Sequence, residues 1–299
     1  MDQGLMVLSV IFGVSAVTAL VVAQRALSPY RHTTSGLARA PQDARAALRA
    51  SALKSAAALA AAVTVAVGMA LVATAASWEM MVAVLVIPVA ATTIGLAVYA
   101  AIPGRPAPVR PTATALLAPR RLMDNAPRVL VALCGVLAGV LLVLLVAAAV
   151  QDTVFVTGQP WGLAVAAVAT VGLVAAGWCA LRRVAGQPAL PTDMLNMDRT
   201  IRGSASRLIL LLTSGALWAS TATMAIALGY ASTSWASVSA ADGSPDQLLG
   251  AIGTGLTVAG VAAVIGALGS LVGAVTATLS LARASMAVSR APRPAAVPA

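Results

Sequence analysis

Long apolar stretches alternate along this chain with short segments that carry its arginines. Seven stretches have no charged side chain: 4–23, 55–76, 80–102, 129–150, 161–181, 208–230 and 250–282. A helix rises 1.5 Å per residue and the hydrocarbon core of a bilayer is about 30 Å thick, so about 20 apolar residues cross it. The pattern predicts an all-α fold, a polytopic transmembrane helical bundle of seven spans. The segments between them are too short for a separate soluble domain, so 1–290 reads as one transmembrane domain. Residues 291–299, rich in Ala and Pro, read as a disordered cytoplasmic tail.

The last stretch is the longest. Its thirty-three residues include seven glycines, Gly250, Gly253, Gly255, Gly260, Gly266, Gly269 and Gly273. As one helix it would run about 50 Å, and fitting it by tilt alone would need roughly 50°, beyond the usual range. It is therefore expected to be kinked, partly unwound or protruding. Ala262, Gly266 and Ser270 recur at i+4, as do Gly269, Gly273 and Ala277, and such small-residue rows let helices approach closely. Gly266, Gly269, Ser270 and Gly273 are the candidate packing residues. On this reading 262–282 is a central packing helix, and 250–260 is a looser outer extension or break.

Local signals refine the other elements. After Pro41 the segment up to Lys54 is rich in helix formers, with Asp43 in its first turn, and should run unbroken into span two. Pro88 within span three predicts a kink, with Thr92 and Thr93 nearby to satisfy freed carbonyls. Six prolines between 103 and 127 forbid a long helix there. Thr192 reads as an N-cap for a helix that holds Asp198 and Arg202 at i, i+4 and leads into span six. Ser244, Pro245 and Asp246 supply a cap, a first-turn proline and a dipole-matched acid for span seven. They fit that role better than a calcium loop, which needs about six oxygen ligands. Gly135 and Gly139 in span four have the GxxxG spacing that permits close helix approach.

Charge gives the orientation. The chain has 19 basic and 9 acidic residues, net +10. All the basic residues fall in four clusters beside spans, on alternate sides of the hairpins, as in loops that stay in the cytoplasm. The N-terminus is accordingly placed outside and the C-terminus in the cytoplasm. With Asp2 and no basic residue before Arg25, the first span lacks the positive n-region of a secretory signal and reads as a retained anchor. Membrane orientation explains the net charge without nucleic acid. Juxtamembrane arginines also attract anionic lipid, each by about 1 kcal/mol. Arg120, Arg121, Arg182, Arg183 and Arg207 are the candidate lipid contacts, and anionic head groups or a cytosolic protein are the expected partners.

Composition agrees: 60% of residues are hydrophobic and 9% charged, with a mean hydropathy of +0.94, far from a soluble domain's 25% or so of charged residues. Candidate chemistry is sparse. Cys134 and Cys179 lie in apolar spans without CxxC or Cys/His spacing, which points to packing rather than a disulfide or a metal. No ionisable residue falls inside the span limits above, which argues against proton-coupled carriers and pumps, and no lysine in span seven could hold retinal. No phosphate loop, HExxH or GxSxG motif occurs, and the sole histidine, His32, sits among arginines. No catalytic residue, metal or cofactor is expected. The hydroxyls of spans six and seven remain. Thr221, Ser270 and Thr276 are candidates for a solute path, beside the simpler role of bonding helices together.

The segments Arg-Pro-Thr-Ala-Thr-Ala-Leu-Leu-Ala-Pro-Arg-Arg (110–121) and Asp-Met-Leu-Asn-Met-Asp-Arg-Thr-Ile-Arg-Gly-Ser-Ala-Ser-Arg (193–207) resemble loops of an uncharacterised family of actinobacterial seven-span membrane proteins. The resemblance implies a bacterial plasma-membrane location and brings no activity, ligand or catalytic residue. Two functions are compatible with these features. One is a non-catalytic accessory, sensory or scaffolding component. The other is a permease or lipid-handling subunit with a path near spans six and seven.

Overall fold

The structure is a computed structural model and describes residues 42–75, 80–102, 126–150, 160–187, 195–241 and 247–290. Among these residues the fold is all-helical. The helices are α1 (Gln42–Ala75), α2 (Met80–Ala101), α3 (Arg128–Val150), α4 (Pro160–Ala185), α5 (Leu195–Ala241) and α6 (Gln247–Arg290). Each is long and apolar enough to cross a membrane. The stretch 4–23, the segments holding Arg120, Arg121 and Ser244 to Asp246, and the tail 291–299 lie outside the described residues.

Polarity in the bundle is arranged for lipid rather than water. Valines and leucines face outward, among them Val129, Val143, Val168 and Leu248, while Thr170, Thr213, Ser214, Ser220 and Thr278 are buried. In hydrocarbon, polar side chains gain by facing other helices, whereas apolar ones lose nothing by facing out.

α5, and not the glycine-rich α6, is the central helix. It packs against all five others, and 72% of its apolar window is buried, against 22% for α6. Glycine content made α6 look central. Yet small residues only permit close approach on one face, whereas α5 buries side chains all round: Leu208, Ile209, Leu217 and Met224 are among the most enclosed in the molecule. The remainder of the core comes from α2, α3 and α4, through Leu96, Leu141 and Leu173.

Neither α5 nor α6 is broken. α5 has 47 residues and α6 has 44, so each runs about 65–70 Å. The excess length anticipated for 250–282 is thus met by protrusion, and 250–260 is regular helix. Nor is it loose. A Cβ built on Gly253 would lie 2.8 Å from the Gly229 carbonyl oxygen, and one on Gly260 would lie 2.5 Å from Ile226 Cγ1. Further along, Gly266 meets the Trp218 ring, Gly215 meets Ser270, and Gly273 meets Leu211. As the contact residue in α6 falls, its partner in α5 rises in step, so the two helices are antiparallel in one register throughout. The α6 glycines at 253, 260, 266 and 273 recur about every seven residues, close to the 3.5-residue period that keeps two helices facing each other.

Cross-helix contacts also fix the levels. Ser220 reaches Leu85, Cys134 reaches Leu210, and Gly177 lies against Thr213. Counting along the helices from these points, the start of α2, the end of α3 and the start of α4 all fall near residues 225–230 of α5. Residues 231–241 and their α6 partners therefore stand clear of the other helices by about 16 Å. The opposite ends of α2, α3 and α4 fall near the start of α5, around Arg202.

Pro88 sits inside an otherwise continuous α2. The expected relief from Thr93 is local, because its hydroxyl donates to Val89, its own i−4 carbonyl, at 2.7 Å. The turn preceding the proline is served from elsewhere. Ser220 of α5 donates to the Leu85 carbonyl at 2.9 Å and ties the proline turn to the central helix.

Candidate functional site at the basic end of the bundle

The charged side chains that are both described and buried, Lys54, Asp198 and Arg202, lie toward one end of the bundle. Arg202, in the first turns of α5, is 2% exposed. Its Nε donates to Asp198 Oδ2 at 2.7 Å, completing the i, i+4 pair anticipated from the sequence. The rest of the guanidinium does something the sequence did not reveal. Nη1 donates to the carbonyls of Val184 at 3.2 Å and Ala185 at 3.1 Å, and Nη2 donates to that of Gln187 at 2.8 Å. These carbonyls lie at the end of α4 and in the turn just after it, where helix geometry leaves acceptors short of donors and the macrodipole is negative. One buried cation thus caps α4, with Asp198 balancing its charge.

Lys54 is the other buried cation. It lies three turns into α1, on the helix anticipated to run unbroken into span two, and is 3% exposed. Its Nζ has no hydrogen-bond partner among the described residues and lies 4.7 Å from the centre of the Tyr99 ring. The neighbouring Ser55 is fully buried, and its hydroxyl likewise has no partner there. The register explains the burial. Gly95 lets α1 and α2 close up against Ala58 and Ala62, and one turn further Lys54 is carried over Tyr99. A cation over an aromatic face gains about 0.5–2 kcal/mol, less than the several kcal/mol that burying an ammonium costs.

The expected lipid-contact arginines fall around this cluster. Arg182 and Arg183 are exposed in the last turn of α4, and Arg207 is half-buried in α5.

The hydroxyls of α5 and α6 serve packing. Ser214 and Ser270 bond to each other at 3.3 Å, and Thr276 donates to Gly273 in its own helix. Thr213, Thr223 and Thr278 likewise bond to the carbonyl four residues back. Thr221 stands apart: it is buried, and its Oγ1 has no partner among the described residues. Of the candidate packing residues, Gly266, Ser270 and Gly273 touch α5, whereas a Cβ on Gly269 would meet nothing within 4 Å. Gly269 sits off the contact line because 266, 270 and 273 already occupy the face turned to α5. Gly135 and Gly139 also face open space. Cys134 is half-buried against the Leu210 carbonyl, and Cys179, expected as a core residue, is exposed. Among the described residues no three metal-binding side chains cluster.

No protein-family model, curated protein or solved structure matches the chain.

Proposed function

We propose that this chain is a seven-span, N-out protein of the bacterial plasma membrane with a non-catalytic role, accessory, sensory or scaffolding. Its basic cytoplasmic face meets anionic lipid or a partner protein. The observation that carries the reading is the division of polar groups. In the middle of the bundle, hydroxyls are used between or within helices, while the cations collect at one end, with Arg182 and Arg183 exposed there. An end of that kind attracts anionic head groups. The competing reading, a permease or lipid-handling subunit, has the unpaired Thr221 hydroxyl in its favour. Of the other two candidate path residues, Ser270 is engaged with Ser214 and Thr276 with its own helix. Extraction of the full chain in native-lipid particles, followed by identification of bound lipid and protein, tests the proposal. Anionic phospholipid enriched over the parent membrane, or a stoichiometric protein partner, is expected. Recovery of neither overturns it.

A further inference from the structure

Exposed arginines on four different helices share one level of the bundle. Lys54 over Tyr99 sets α1 against α2, and Ser220 on the Leu85 carbonyl sets α2 against α5. Cys134 on Leu210, Gly177 on Thr213 and Gly273 on Leu211 set α3, α4 and α6 in the same way. Counting along each helix from these contacts brings Arg49 of α1, Arg128 of α3, Arg182 of α4 and Arg283 of α6 between Ile201 and Leu208 of α5, a band about 10 Å deep. All four are exposed. Their helices stand around α5, with α1 between α6 and α2, and α4 between α2 and α3, so the arginines face outward on different sides. α2 contributes none.

What lies beside each arginine identifies the medium. One turn toward the middle of the bundle, on the same face, Arg49 is followed by Leu53, Arg182 is preceded by Trp178 and Arg283 by Leu279, all exposed. Arg128 is followed directly by Val129, 80% exposed. The outward surface thus changes from a fixed cation to an apolar side chain within about 6 Å. The far boundary is equally well placed. From Arg128 to Val150, and from Arg182 back to Pro160, no other charge intervenes, and each run is about 33 Å, close to one hydrocarbon thickness.

We infer that these arginines form a collar for anionic phospholipid, in which a head-group phosphate meets the guanidinium and an acyl chain lies along the apolar side chain further in. The inference rests on the proposed reading of this end as an anion-facing surface, and commits it to lipid rather than protein. A protein partner engages one side of such an end, whereas these arginines face different sides, each joined to hydrocarbon-facing surface. α1 and α6 run on past the collar by about 10 Å, so their arginines project from helix sides, where lipid is. Arginine suits the task, because its planar fork takes two phosphate oxygens while its stem rests on apolar surface.

The test uses the full chain in nanodiscs of mixed phosphatidylcholine and phosphatidylglycerol, with native mass spectrometry of retained lipid. Wild type should keep several phosphatidylglycerol molecules, above their share of the mixture. Arg49→Gln, Arg128→Gln, Arg182→Gln and Arg283→Gln, all at exposed positions, should each weaken retention at one place about fivefold, and the four together should remove the excess. Arg182→Lys should keep it. Phosphatidylglycerol brominated high on its acyl chain should quench Trp178 more than phosphatidylcholine with the same label, with Trp178→Phe giving the background, and Arg182→Gln should abolish the difference. Equal quenching by the two lipids in wild type, loss of the whole excess in one single variant, or an undiminished excess in the fourfold variant overturns the collar and leaves the basic-face reading standing. A stoichiometric protein from the native membrane, released by the fourfold variant, does the same. If wild type shows neither a phosphatidylglycerol excess nor a protein partner, both fall.

Discussion

The α5–α6 seam predicts sharply different outcomes for two glycines sixteen residues apart in one helix. In Gly253→Ala the new methyl would lie 2.8 Å from the Gly229 carbonyl oxygen, 2.8 Å from Thr233 Cγ2 and 2.9 Å from the Thr233 amide nitrogen. Two of these three atoms are backbone and cannot turn aside. Ordinary contact is about 3.5–4.0 Å, so the helices must part by roughly 0.7 Å, and a gap of that size forfeits a quarter to a half of each neighbouring van der Waals contact. Overpacking of this kind costs about 1–3 kcal/mol. Gly269→Ala meets no atom within 4 Å and gains the helix propensity of alanine, up to about 1 kcal/mol. The two variants should therefore differ by about 2 kcal/mol or more. Gly273→Ala should fall between them, because its closest neighbours, at 3.1 and 3.4 Å, are the terminal methyls of Leu211, which can rotate. Reversible unfolding in detergent micelles titrated with dodecyl sulfate, followed by circular dichroism, ranks the three. A loss for Gly269→Ala equal to that for Gly253→Ala would refute the register derived for the seam.

Two further outcomes follow from the same contacts. Arg202→Met removes the cap of α4 and breaks the buried ion pair with Asp198, which should cost about 3–5 kcal/mol in the same unfolding assay. Asp198→Asn combined with Arg202→Met should then cost less than the two single losses added, and strict additivity would show that the pair does not act as a unit. Ser237 is exposed in the part of α5 that stands clear of the other helices. With Cys134 and Cys179 replaced, Ser237→Cys should react with a membrane-impermeant maleimide applied to intact cells, and protection there would overturn the proposed orientation.

The pattern of charge-free stretches was enough to place the six described helices, because bilayer thickness constrains length and composition more tightly than any packing preference does. The errors lie where a neighbour decides. The helix ahead of span six was anticipated, but its far end was set at residue 230, yet α5 runs on to Ala241, since α6 lies beside it and the two support each other. Lys54 was legible as part of a helix leading into span two, but its burial was not. Its burial depends on α2 presenting Gly95 and Tyr99 at matching heights, which no local pattern in α1 records. The Asp198–Arg202 pair was legible as an i, i+4 spacing. The three carbonyls that the guanidinium caps were not, because they belong to the end of α4 and the turn after it, 15 to 18 residues earlier in the chain.

That difference bears on where a role can reside. Arg202 joins α4 to α5 with its donors spent on carbonyls and Asp198, so moving it would uncap a helix and expose a buried ion pair; it is part of the frame. Among the described residues Lys54 is held by a ring face, an attraction of about 0.5–2 kcal/mol. α2 is in turn fixed to the central helix through the bond from Ser220 to Leu85, in the turn before Pro88. Ser220→Ala removes that tie and should cost about 0.5–1.5 kcal/mol in the same unfolding assay; no loss would show that the bond does not contribute to holding α2 on α5.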